Sequence, residues 1–132
     1  DPYRVYFSTE RLYTITLPMV ALQHWQQEVV NEGVVKSYRD MFLKYFETKG
    51  QIPSGNLAEI KYEDFIGNEM ETLREAYKKL NLPFENAAPH IQKEVRSYEG
   101  YKTNTYDYDT EKMKQIYAAW EPVFRELGYE KK

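Results

Sequence analysis

The chain has 132 residues, 42% of them hydrophobic and 30% charged, and a net charge of −3 from 18 basic and 21 acidic side chains. This is the composition of one soluble domain rather than a disordered chain, with no basic excess to suggest nucleic acid as a partner. The absence of Cys excludes disulfides, thiolate nucleophiles and Cys-based metal sites and suits a reducing, cytoplasmic compartment. No apolar run approaches bilayer length, so a membrane partner is not expected either.

In chain order, DPYRVYFST (1–9) reads as a loop running into a helix, with Ser8 or Thr9 as cap and Glu10 in the first turn. Leu12 and Ile15 give that helix an apolar side, and Pro18 should end or kink it. Residues 19–32 read as a second helix with Val20, Trp25 and Val29 buried, broken at Gly33. The spacing of Val34, Tyr38, Met41, Phe42, Tyr45 and Phe46 predicts one face of a helix that stops at Lys49-Gly50. QIPSGN (51–56) is a turn cluster, and imperfect alternation in 57–62 predicts a strand. Asn68 to Glu71 has the form of a capping box, and Met70, Leu73, Tyr77 and Leu80 form a helical stripe that NLP (81–83) stops. A helix is expected over 87–100, with Pro89 near its start, then a polar, aromatic segment over 101–109. The last helix starts near Thr110 and turns Met113, Ile116, Tyr117, Trp120 and Phe124 inward, with a kink at Pro122. A lone strand cannot satisfy its own edges, so its sheet is expected to lie in chain upstream of Asp1, in keeping with a start that lacks Met.

Three segments offer chemistry. A Pro-containing turn leading into Ser8 at a helix start could present a hydroxyl and free N–H groups to an anion, or could simply cap the helix. Tyr62, at the end of the expected strand and followed by Glu63 and Asp64, could stack on a nucleobase or merely cover a sheet edge. Lys102, beside Thr103 and Asn104, could close over a phosphate or belong to a solvated loop. His24 and His90 lack partners at metal-ligand spacing, so no metal site is predicted; a helical ion pair of His24 with Glu28 is open. No residue by itself reads as catalytic.

Taken in this order, the three segments resemble sulfotransferases that use 3′-phosphoadenosine 5′-phosphosulfate (PAPS). DPYRVYFST is similar to the family's 3′-phosphate segment, in which an Arg is followed eight residues later by a Ser; that Ser matches Ser8, and the Arg would precede Asp1. IKYEDFIGNEMETLREAYKKLNLP is similar to the family's Tyr-Glu-Asp segment and following helix, with Tyr62 in the place of an adenine-contacting Tyr. EGYKTNTYDY and IYAAWEPVFRELGY are similar to the C-terminal portion of bacterial-type members, and Lys102 falls where the family sets a basic loop over the nucleotide's 3′ end.

The resemblance implies an α/β fold, of which residues 1–132 would be a single domain: the C-terminal, mostly helical part of a P-loop-like sulfotransferase with one or few strands retained. It implies PAPS as donor, a small-molecule or glycan acceptor with a hydroxyl or amine, and Ser8, Tyr62 and Lys102 around the nucleotide. The loop for the 5′-phosphosulfate and the acid/base residue would come from a missing N-terminal segment, leaving the isolated chain inactive. Residues 12–48 would form part of the acceptor wall. The competing expectation is a non-catalytic helical interaction module that docks through its aromatic stripes and the 57–62 strand.

Overall fold

The computed structural model describes residues 1–98 and 100–132. Its helices are α1 (Pro2–Val20), α2 (Gln27–Thr48), α3 (Tyr62–Phe65), α4 (Glu69–Lys79), α5 (Phe84–Ser97) and α6 (Thr110–Leu127), with a 3₁₀ turn at Lys49–Gln51. Among the described residues there is no strand, so the expected α/β class is overturned by a mostly helical fold. The chain divides into two compact units, one formed by Asp1–Thr48 with Thr105–Lys132, the other by Lys49–Asn104.

The first unit packs α1, α2 and α6 against one another. Its first helix corrects the expectation that residues 1–8 form a loop. The Asp1 carboxylate accepts from the Tyr3 N–H at 3.0 Å, and Pro2 takes the first helical position, where its missing N–H costs nothing. Tyr3, Tyr6 and Phe7 then fall on one face and are buried. Ser8 therefore lies about two turns inside α1 rather than at a helix start, and its backbone N–H is not free. Pro18 is inside the helix, which ends soon after it at Val20, with the Ala21 N–H donating to Leu17 at 2.8 Å.

Residues 21–26 form an irregular connection, not the expected second helix, and they place His24 outside any helix, away from an i,i+4 pairing with Glu28. Val20 and Val29 are exposed. The break expected at Gly33 is absent, because α2 runs through it. On α2, Val34 is buried and Tyr38, Phe42 and Phe46 pack on the core as the spacing predicts, while Met41 faces solvent.

From α6 come Ile116, Trp120, Val123 and Phe124, all nearly inaccessible. Trp120 lies at the centre, with ring centroids 5.7 Å from Tyr38 and 6.3 Å from Tyr6, and its indole N–H donates to the Val35 carbonyl at 2.9 Å. Burying so large a ring satisfactorily requires a partner for its N–H, which α2 supplies. Asp109 caps α6 by accepting from the Glu111 and Lys112 N–H groups. Gly128, at φ 67°, closes it with Gly128→Arg125 and Tyr129→Phe124 backbone bonds, a Schellman ending that needs the left-handed conformation glycine tolerates. Lys132 pairs with Asp1, so the two ends of the described chain meet in this unit.

In the second unit α4 and α5 form a helical hairpin, with α3 against α4. Residues 57–61 are irregular and Tyr62 opens α3, which corrects the predicted strand. Leu57 and Ile60 are three apart rather than in strict alternation, and no neighbouring strand offers a ladder among the described residues. Asn68 stands at the cap position of α4 without a capping side-chain bond. The expected reciprocal pair with Glu71 is replaced by Glu69, whose carboxylate accepts from the Gly67 N–H at 2.8 Å and is held below its usual pKa by that bond. Asn81, at φ 54°, ends α4 with Asn81→Lys78 and Leu82→Tyr77 bonds, the polar counterpart of the glycine stop in α6.

The helix expected over 87–100 begins earlier, at Phe84, and ends at Ser97; Glu99, within that expectation, lies outside the described residues. Phe84 is the buried residue of the hairpin. Tyr77 meets it edge-on at 5.4 Å, and the Arg74 guanidinium sits 5.0 Å from its ring centre.

Candidate functional site

The three residues singled out from the sequence fall in both units. Ser8 is exposed on α1 in the first, while Tyr62, 45% exposed at the start of α3, and Lys102, exposed in the irregular segment before α6, belong to the second. Tyr62 directly follows the wall of a cleft of about 470 Å³ in the second unit, formed by residues 58–61 and α4. Lys61, Lys78 and Lys79 bring cations to that cleft, and Glu59, Asp64 and Glu75 bring carboxylates. Lys78 is paired with Glu75 at 3.6 Å, so the cleft is electrostatically mixed. His90 is exposed within α5.

Sequence reasoning missed a polar cluster in the first unit. Glu10, on α1, is largely covered. Its Oε1 accepts from Lys112 Nζ at 2.7 Å, from Asn31 Nδ2 at 2.8 Å and from the Tyr6 hydroxyl at 3.4 Å. Gln27 donates to Asn31 at 2.9 Å and accepts from Thr14 at 3.3 Å. Burial, reinforced by the neighbouring Glu10 carboxylate, pushes the Tyr6 phenol up to about 12, so at neutral pH Tyr6 acts only as a hydrogen-bond donor or acceptor and not as a base.

Lys112 borders two depressions. One, of about 440 Å³, has Phe7, Arg11 and Tyr106 among its walls. The other, about 390 Å³ between α2 and α6, has an apolar floor of Val35, Ile116 and Ala119 below Lys36, Arg39 and Lys112. No local pattern could have signalled this cluster, because Glu10 and Lys112 are 102 residues apart and meet only through tertiary packing. Among the described residues no group of three His, Cys, Asp or Glu side chains could hold a metal ion, and no helix is long and apolar enough to cross a membrane.

Against known proteins, the chain aligns over 132 residues, at 30% identity, with the omega-hydroxy-beta-dihydromenaquinone-9 sulfotransferases of Mycobacterium bovis and Mycobacterium tuberculosis. It is similar to a sulfotransferase. The alignment takes in 99% of this chain but 34% of each relative, so the chain spans about a third of the length of the curated relatives it matches. No protein-family model matches the chain, and no solved structure does.

Proposed function

We propose that this chain is the C-terminal part of a PAPS-dependent sulfotransferase and supplies the 3′-phosphate and adenine side of the nucleotide site. The observation that carries this reading is the similarity to sulfotransferases along nearly the whole chain. The residue types suit the ligand: an exposed hydroxyl at Ser8, a half-exposed phenol ring at Tyr62 and an exposed ammonium at Lys102. Since Ser8 lies within α1, its hydroxyl, not its backbone N–H, is the group offered to the 3′-phosphate. Tyr62 offers a stacking face to adenine, and Lys102 a point charge to the nucleotide's 3′ end.

In the reaction, the acceptor oxygen bonds to sulfur as the bond from sulfur to the 5′-phosphate oxygen breaks. The acceptor proton passes to a base, and adenosine 3′,5′-bisphosphate leaves. The contribution of this chain is to hold the nucleotide so that the attack is in line. Because the relatives are named for a hydroxylated acceptor, a hydroxyl is favoured here over an amine.

Calorimetric titration with adenosine 3′,5′-bisphosphate tests the reading. Binding is expected to weaken about tenfold with Ser8→Ala, from loss of a hydrogen bond to a charged group, and about tenfold with Tyr62→Ala, from loss of stacking. The 132-residue chain alone should show no sulfotransfer. Undetectable nucleotide binding, or binding that neither substitution alters, overturns the assignment. One observation favours the alternative of a non-catalytic helical interaction module: the far end of α1 exposes Met19 at 78% and, beyond it, Leu22 at 103%. Tight association with another chain, without nucleotide binding, would support it.

A further inference from the structure

We propose that the groove between α2 and α6 is a binding site for a small amphiphilic anion, an apolar body bearing a single sulfate, phosphate or carboxylate head. The groove, at about 390 Å³, is large enough for a small molecule. Its floor and its edge differ in character. The floor is formed by Val35 and Ala119 over the nearly buried Ile116, aliphatic side chains with no polar atom to satisfy. The edge carries the ammonium groups of Lys36 and Lys112 and the guanidinium of Arg39 against a single lining carboxylate, Glu32.

The three cations are not equivalent. Glu10 holds Lys112 from the α1 side, fixing it in place rather than leaving it free to swing. Lys36 pairs with Asp40, but both are well exposed, and such a pair gives little stability and yields readily to a better partner. Arg39 has no carboxylate partner among the described residues and is exposed at the rim. A planar guanidinium there can meet a tetrahedral or carboxylate anion through two N–H groups at once. Apolar floor and cationic edge together select for a ligand with both features: a plain inorganic anion forgoes the floor, and a neutral or cationic amphiphile forgoes the edge. The inference rests on the first unit alone and is independent of the nucleotide reading.

The test is a titration of the isotope-labelled 132-residue chain with octyl sulfate below its micelle concentration, followed by amide shifts, beside octyltrimethylammonium and inorganic sulfate. Octyl sulfate is expected to shift the amides of Val35, Arg39, Lys112 and Ile116 saturably. Arg39→Glu should weaken that binding at least about tenfold, and Arg39→Lys should restore part of it. Since Arg39 is exposed, the variant should keep its helical circular dichroism; Lys36→Glu, at another exposed position, is the second variant. The proposal fails if octyltrimethylammonium binds as well as octyl sulfate, if inorganic sulfate binds equally, if the shifts lie elsewhere, or if both reversals leave binding unchanged. Adenosine 3′,5′-bisphosphate titrated into the same Arg39→Glu sample keeps the two readings apart, because its affinity should not move.

Discussion

The two units of this chain are both helical, yet they are stabilised in different ways. In the first, three long helices close around Tyr3, Tyr6, Phe7, Val34, Ile116, Trp120, Val123 and Phe124, a core rich in aromatic rings that meet edge-on or tilted. In the second, a two-helix hairpin has Phe84 as its buried residue and leaves Ile60, Ile66 and Leu82 substantially exposed. Helix propensity and good terminal stops can draw such a hairpin, but little apolar burial secures it. The lesson is that being helical does not by itself secure a unit: the first unit should set the global unfolding free energy, and the second should open first.

The largest effect that would test this contrast is expected from Trp120→Ala. It empties the centre of the first core and removes the bond to Val35, so a loss of about 3–5 kcal/mol is expected, read as a large drop in the thermal melting temperature. A small drop would mean that the first unit is not the stability-setting one. Phe84→Ala should cost less, about 3 kcal/mol or under, and should act locally. Amide exchange in α4 and α5 should accelerate while α1, α2 and α6 keep their protection; uniform acceleration would show the units to be one cooperative block.

The smallest effect is electrostatic. The Tyr6 phenol titrates at about 12 instead of 10.0, so the folded state holds its proton where the unfolded chain has released it. Its contribution is complete below pH 10 and is lost as pH rises through about 12. Tyr6→Phe should therefore lessen the decline in stability over that interval, and an unchanged alkaline slope would remove Tyr6 as its source.

The sequence was most legible where a helix buries one continuous face. The inward set read on α6 holds for Ile116, Trp120 and Phe124, with Met113 and Tyr117 packed at the margin. The α2 stripe holds at Val34, Tyr38, Phe42 and Phe46. It was least legible at Asp1–Ser8, although the signals were present: an Asp cap, Pro at the first position, and rings at 3, 6 and 7. A Pro-containing start followed by Ser-Thr fits both a loop and a helix, and only burial against α6 decides between them. The strand expected at 57–62 failed because its apolar residues never alternate cleanly and no strand is present among the described residues to pair with them. The Glu10 cluster was out of reach of any window-based reading, since its members come from three helices.

The first unit is assembled from two stretches of chain that the second unit separates. During synthesis α1 and α2 would leave the ribosome with Tyr3, Tyr6, Phe7 and Val34 uncovered, and would wait for more than half of the chain before α6 delivered Trp120 and Phe124. The intervening hairpin is a local structure that could form in the meantime. A nascent chain stalled before Thr110 would thus display a folded excursion beside an unfinished aromatic cluster, the form most exposed to chaperones and to self-association.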